Sequence, residues 1–512
     1  MDNVKILDCT IRDGGYYNNW DFSTNFAKNY LKTLSKTSVE IIEIGFRKPI
    51  DNIGSGPSGL KKIGKFLISE EKYLSQFKFD KDKKISVMID LSDYIKKDGF
   101  EKLKKNFYNS NKSLIKIVRI ACNFNDRKHL NKIVKHLKNN NYIVCVNLMK
   151  FTILSNQEIL SFFKLGLKIG ADYLYLADSF GNCTPNKIMN VSKFIKNRGI
   201  KLNCLGFHSH DNTGNALKNT IASIKAGFGI IDTSIMGMGR GAGNLRLENF
   251  LKYQKKYKEL NKVNLFSKKF MKNLLNKYKW GKNKYYIYSA QNNIHPTFIQ
   301  RFLEEEKFKK DKMLKTLKFL KKNNATQYDM NIFDNLFLDV KKFKKTQNKD
   351  NSKIAILCDN SQTKSINLRK LKTKGYYTST LNFVKFVNNK KLDYIFMCNA
   401  YRTFTEIERV LSIKSIKLII PNYQILKNIL KKNNNKIINY NIKKNQNFRI
   451  KKDQCENDKN LVLVYALSYC IAQKFKEIKI FGLTKNISNF GILDKMKKYI
   501  KRKNFNSKIV LQ

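Results

Sequence analysis

Two histidines, His208 and His210, stand two apart in Phe207-His208-Ser209-His210-Asp211-Asn212. Residues two apart on a strand project to the same side, so both imidazoles can converge on one ion. Near the N-terminus, a short apolar run opens into Asp8-Cys9-Thr10-Ile11-Arg12-Asp13-Gly14-Gly15, which offers a carboxylate, a guanidinium and two glycines that allow a tight backbone. Two imidazoles and the Asp13 carboxylate form a mixed nitrogen and oxygen set suited to Mn²⁺, Mg²⁺, Co²⁺ or Fe²⁺, with positions left open for a chelating 2-oxo acid. Standing alone, a His-x-His pair is more often a solvent-facing or satisfied core pair. Only five histidines occur in the chain and three lie elsewhere, so the pair is not a product of His-rich composition. With Asp13 and Arg12 at the end of another strand, the metal reading is the stronger. A glycine-rich segment, Gly237-Met238-Gly239-Arg240-Gly241-Ala242-Gly243-Asn244, reads equally as a plain tight turn or as a rim loop that brings the Asn244 oxygen to the metal or its water.

These residues need a scaffold that gathers strand ends. Eight β-branched runs alternate with Lys-rich amphipathic stretches: Val4 to Cys9, Val39 to Phe46, Ile85 to Asp90, Ile115 to Ala121, Tyr142 to Met149, Ala171 to Asp178, Leu202 to His208 and Gly229 to Ile235. Their nearly continuous apolar character predicts parallel strands buried on both faces, and eight such units predict a closed (β/α)8 barrel of α/β class over residues 1–265, with an open doubly wound sheet as the alternative. Chemistry in such a barrel is built at the C-terminal strand ends, where every polar cluster above falls. Residues 266–345 read as a helical extension over the barrel mouth, interrupted by a strand-like run at YYIYSA that contains Tyr288. The polar segment from Lys341 to Ser352 is the candidate linker. Beyond it, KIAILCDN, LDYIFMCNA, IKLIIPN and EIKIFGLT predict the strands of a Rossmann-like α/β domain over residues 350–512, although the first of them ends in Cys358-Asp359-Asn360-Ser361 and not in a glycine-rich loop.

At 512 residues the chain exceeds one ordinary core, and 42% apolar residues supply enough material for two. A formal charge of +60 raises a basic polyanion-binding protein as a non-enzymatic alternative. The lysines, however, are spread through every region, as in the run Lys431 to Lys436, and no zinc-finger, helix-turn-helix or aromatic-interleaved basic motif occurs, so no nucleic-acid partner is expected. The nine cysteines lack CxxC spacing and read as small buried hydrophobes of a reducing compartment. With no signal-peptide pattern and no long apolar run, a cytoplasmic protein without a membrane partner is expected.

The segments LDCTIRDGG, ADSFGNCTP, FHSHDNTGNA and GMGRGAGN together resemble, in order and spacing, the first-, sixth-, seventh- and eighth-strand motifs of the DRE-TIM metallolyase superfamily. That superfamily includes 4-hydroxy-2-oxovalerate aldolase, hydroxymethylglutaryl-CoA lyase and the isopropylmalate and homocitrate synthases. The resemblance covers about the first half of the chain and stands nearest to the aldolase and pyruvate carboxyltransferase-type domains. It implies a carbon–carbon lyase acting on a 2-oxo acid and an aldehyde, with Mn²⁺ or Mg²⁺ (or Co²⁺) held by Asp13, His208 and His210, Asn244 as a nearby or additional ligand, and Arg12 stabilising an enolate. A Claisen-type acyl-CoA synthase is the alternative within the same motifs. The aldolases carry a histidine shortly after the RDG motif, where this chain has Tyr16-Tyr17-Asn18. The acid/base role therefore falls to His295 first, with Tyr288 and Tyr16 as the other candidates. The apolar stretch LVLVYALSYCIAQKFKEIKIFGLT is loosely similar to sugar-transferase-like domains encoded with surface-polysaccharide genes. That similarity implies a nucleotide sugar, with a purely structural or homo-oligomerising domain as the alternative.

Overall fold

A computed structural model of the chain describes residues 4–49, 63–96, 98–304, 310–329, 332–333, 352–358, 361–382, 391–413, 416–423, 436–445, 448–457, 461–483 and 487–512. It divides into two compact units, Met1–Tyr328 and Asp329–Gln512. The candidate linker at 341–351, and Asp359 and Asn360 after the first strand of the second unit, lie outside the described residues.

The first unit is a closed barrel of eight parallel strands, β1 (Lys5–Asp8), β2 (Val39–Phe46), β3 (Lys84–Asp90), β4 (Ile115–Cys122), β5 (Ile143–Met149), β6 (Tyr173–Asp178), β7 (Leu205–Ser209) and β8 (Ile230–Thr233), closed by pairing of β1 with β8. The expected (β/α)8 barrel is therefore present. Its strand boundaries shift where tight turns claim residues, as at Leu202–Cys204 before β7 and Ile235–Gly237 after β8.

Two layers explain the unbroken apolar runs. One face of each strand packs outward against the helices, and the other fills the lumen, where Leu7, Cys9, Ile41, Ile117, Cys145, Tyr175 and Ile230 form one cluster. Gly206 on β7 is required there: a Cβ at this position would stand 2.4 Å from the Tyr175 ring, which closes the lumen beneath the charged layer. The helices begin where the sequence caps them. Ser155 and Glu158 form a reciprocal capping box on Asn156–Lys168, and Thr184 caps Pro185–Lys196, with proline in the first turn.

The YYIYSA run is a correction to the sequence reading. Lys284–Gln291, including Tyr288, is a helix and not a strand, because the Asn283 side chain accepts hydrogen bonds from the Tyr285 and Tyr286 backbone N–H groups and starts a helical turn that overrides the β propensity of Tyr and Ile.

The second unit carries a seven-stranded parallel sheet whose spatial order is Ile437–Asn439, Lys417–Ile420, Tyr394–Phe396, Tyr376–Leu381, Lys353–Leu357, Glu477–Phe481 and Lys508–Leu511, plus a small three-stranded sheet. The helix Val462–Ala472 is buried along almost its whole length. Among the described residues no helix is long and apolar enough to cross a membrane. All nine cysteines are free thiols, and every one but Cys204 is buried.

Candidate active site

At the C-terminal rim of the barrel, five charged side chains and one imidazole form a closed ring. Arg12 Nη1 meets Asp13 Oδ1 at 2.5 Å and Arg12 Nε meets Glu43 Oε2 at 2.5 Å. The same Glu43 oxygen faces Arg119 Nη1 at 3.0 Å, and Arg119 Nη2 meets Asp232 Oδ2 at 2.5 Å. Asp232 Oδ2 then lies 2.8 Å from His208 Nδ1, and His208 Nε2 returns to Asp13 Oδ2 at 3.9 Å. All six residues are buried. Desolvating so many charges is tolerable only because each has an opposite partner. Burial alone would push the Asp13 carboxyl up, yet Arg12, His210, His208 and Arg240 hold it well below the ordinary carboxylate range. Asp232 is likewise held low against its burial, chiefly by Arg119 and then by His208.

The ring places three metal-competent atoms together. One ligand atom each from Asp13, His208 and His210 lie within 4.8 Å of one another. Burial drives the His210 imidazole well below its usual pKa, outweighing the pull of Asp13, so the ring is neutral and its lone pair is available. Because His208 Nδ1 is taken by Asp232, Nε2 is the nitrogen turned toward Asp13. A carboxylate behind a ligating histidine fixes its tautomer and raises its basicity. The Asn244 amide nitrogen donates to Asp13 Oδ2 at 2.7 Å, while Asn244 Oδ1 and His210 Nδ1 are buried with no hydrogen-bond partner among the described residues. Such orphaned acceptors beside a carboxylate fit a divalent cation better than an empty polar pocket. A second grouping of Cys9, His208 and Asp232 fits poorly, since burial keeps the Cys9 thiol protonated and its Sγ donates to the Thr233 carbonyl.

Gly239 makes this geometry possible. A Cβ there would lie 2.4 Å from Asn244 Nδ2 and 2.6 Å from Asp13 Oδ2, so the loop reaches the site only as glycine. Arg240, the next residue, points over the Tyr16 ring at 5.5 Å from its centroid. Tyr17 donates to the Gly241 carbonyl at 2.5 Å, and Gln300 hydrogen-bonds both the Tyr16 carbonyl and the Gly241 N–H.

The acid/base candidates separate. His295 is partly buried, and burial together with the positive charges of Arg240 and Lys150 keeps its imidazole well below the usual range and therefore neutral. The Thr297 N–H donates to its Nδ1 at 3.3 Å, which leaves the ring proton on Nε2; for Nε2 to serve as a base that proton must move to Nδ1 and this long contact must be given up. Burial pushes the Tyr16 phenol up, so it is a hydrogen-bond donor and not a ready base. Among the described residues Tyr288 has one local contact beyond its helix, its carbonyl accepting from Asn292; the tyrosine that reaches the glycine-rich loop is Tyr286, through Tyr17. Glu43, Arg119, Asp232, Lys150 and Arg240 were not singled out from the sequence. For the first three the signal was present: each is a charge inside an apolar strand, flanked by apolar residues or by the strand's own apolar run, which cannot be buried unpaired.

The model of the HMGL-like family matches residues 3–271. The chain belongs to the HMGL-like family. Among its relatives is a 4-hydroxy-2-oxovalerate aldolase from Geobacillus genomosp. 3, 27% identical over 246 residues, covering 48% of this chain and 68% of the relative. Another, from Pseudomonas putida, is 36% identical over 104 residues, covering 20% of this chain and 30% of that one. A crystal structure of the N-terminal domain of a candidate aldolase from Bacteroides vulgatus superposes with a TM-score of 0.50 and 29% identity, covering 61% of this chain and 100% of that domain.

Asp232 provides a test of the ring within this family frame. Asp232→Asn keeps the shape but weakens the hold on the His208 tautomer, so Mn²⁺ affinity measured by isothermal titration should fall about 10- to 100-fold. Unaltered affinity would remove Asp232 from any supporting role.

Proposed function

We propose that the barrel is a divalent-metal-dependent aldolase-type lyase that forms or cleaves a carbon–carbon bond through the enolate of a pyruvate-like 2-oxo acid and an aldehyde. Membership of the HMGL-like family and similarity to 4-hydroxy-2-oxovalerate aldolases make it a carbon–carbon lyase. The observation that carries the finer reading is the spare edge of Arg12: its Nε and Nη1 are taken by Glu43 and Asp13, while Nη2 is buried without a hydrogen-bond partner among the described residues. Asp13, His208 and His210, with Asn244 beside them, would hold Mn²⁺ or Mg²⁺, which supplies Lewis-acid polarisation of the 2-oxo group when bound. Arg12 Nη2 then donates to the oxygen on which enolate charge develops, and the Asp13 and Glu43 contacts keep the guanidinium from turning away.

Neutral His295 takes the proton. In cleavage it accepts the proton of the hydroxyl, the bond between the carbinol carbon and the enolate carbon breaks, and the proton passes to that enolate carbon; condensation runs these transfers in reverse. His295→Ala should lower turnover by about 10²-fold or more while Mn²⁺ binding is retained. Unchanged turnover would remove His295 from the role.

The deciding experiment incubates the full chain with Mn²⁺, a panel of 2-oxo acids and aldehydes, and mass-spectrometric detection. A product equal in mass to the two reactants combined supports the aldolase. Release of CoA thiol from acyl-CoA, with no aldol product, replaces it with the Claisen synthase. For the C-terminal unit, the departure of the chain to opposite sides of Lys353–Leu357 in the sheet supports a Rossmann-like reading. Nucleotide sugars are the ligand class to screen against it, in keeping with a role in surface-polysaccharide synthesis.

A further inference from the structure

Two cations at the barrel rim act on Asp13 and His295 through their charge but have no ligand in the chemistry above. Arg240 is 8% exposed, its Nε is buried without a hydrogen-bond partner, and neither its guanidinium nor the Lys150 ammonium has a carboxylate at ion-pair distance among the described residues. They act on each other and on one neighbourhood. Burial and the charge of Arg240 bring Lys150 down to about 8, Asp126 being the one carboxylate that pulls it back, and both cations depress His295. Arg240 also acts on Asp13 and His210. Nearby Lys48 is different, since Asp90 and Asp93 neutralise it at 2.7 and 2.9 Å.

Lys150 also occupies a costly backbone position. It follows β5 at φ 57° and ψ 32°, in the left-handed region that glycine or asparagine enters more easily, and it is pinned there by its N–H bond to Ser179 Oγ at 2.9 Å. Two cations on the same rim with no carboxylate at ion-pair distance among the described residues, one of them nearly buried with an unpartnered Nε, leave a position that an anion would satisfy.

Charge balance indicates which anion. The buried ring carries the carboxylates of Asp13, Glu43 and Asp232 against the guanidiniums of Arg12 and Arg119, leaving one negative charge. A divalent ion and the monoanion of a 2-oxo acid bring that set to neutrality without Lys150 or Arg240. We infer that Lys150 and Arg240 cradle a second anionic group, carried by the aldehyde partner, so that the enzyme acts on aldehydes bearing a phosphate or carboxylate. This inference rests on the aldolase reading for its reaction but not for its binding site.

The test compares matched aldehydes with pyruvate and Mn²⁺: glyceraldehyde 3-phosphate against glyceraldehyde, and succinic semialdehyde against butyraldehyde. The charged member of at least one pair should have a kcat/KM about 10²-fold higher. A preference in the phosphate pair alone identifies a phosphate cradle, and one in the semialdehyde pair alone a carboxylate cradle. In Lys150→Met and Arg240→Met the ratio should fall at least about tenfold, mainly through KM, and Arg240→Lys should recover part of it. In parallel, inorganic phosphate and succinate are titrated calorimetrically into the full chain without free divalent ion, with thermal unfolding confirming that each variant is folded. If no aldehyde reacts but one of these anions binds and is lost in the variants, the aldolase reading falls and the cradle stands. Equal kcat/KM within both pairs overturns the cradle, as does absence of anion binding when no aldehyde reacts.

Discussion

Asp13→Ala should abolish Mn²⁺ binding by calorimetry and lower turnover by more than about 10²- to 10³-fold. The size follows from how many neighbours lose their arrangement together. Asp13 Oδ1 holds Arg12 and Asp13 Oδ2 receives Asn244, so alanine removes a ligand, frees the guanidinium and releases the glycine-rich loop in one step. Asp13→Asn is the sharper control. It keeps the volume and one oxygen but loses the charge that holds Arg12 Nη1, and it should retain the fold while losing most of the metal affinity. Full affinity in Asp13→Asn would mean that the two histidines bind the ion without the carboxylate, and the set would have to be redrawn around Asp232.

How much of this was legible beforehand depended on the kind of pattern. The barrel strands were readable because burial on both faces leaves an unbroken apolar run, and β2 was delimited at Val39–Phe46 from sequence alone. The metal triad was readable because His208 and His210 stand two apart at the end of β7, although Asp13, expected at the end of a strand, lies in the first turn of the helix Thr10–Asn18 that follows β1. Strands of the second unit that lack such runs were not found: Tyr376–Leu381 reads YYTSTL, with hydroxyls that in the structure bond to Asp393 and to the Ala355 carbonyl. The charged ring was half visible. Glu43 in VEIIEIGF, Arg119 in IKIVRIAC and Asp232 in IIDT each announce a buried charge, but which charge meets which depends on barrel closure, a contact of up to 113 residues in sequence separation between Arg119 and Asp232. Lys150 was hidden for another reason: in a lysine-rich chain a single lysine carries no signal until the structure removes its partners.

Arg119→Met should destabilise the barrel by about 3–5 kcal/mol at neutral pH, read by denaturant titration of the barrel unit. Arg119 is fully buried, bridges Glu43 and Asp232, and lies 4.3 Å from the centre of the Tyr175 ring, so methionine retains packing volume but leaves two carboxylates facing a low-dielectric lumen. The sign of the pH dependence separates this cause from a packing defect. In the native protein Asp232 is depressed, chiefly by Arg119 against its burial, so it contributes stability that is present above the ordinary carboxylate pKa and lost as pH falls through its lowered folded value. Without Arg119 that contribution disappears at neutral pH, and burial turns Asp232 toward the protonated form. The difference between native and variant should therefore be largest near pH 7 and shrink as pH falls through the carboxylate range. A packing defect would give a difference that does not change with pH. Arg119→Lys keeps one charge but cannot fork between two carboxylates, and should fall between the two.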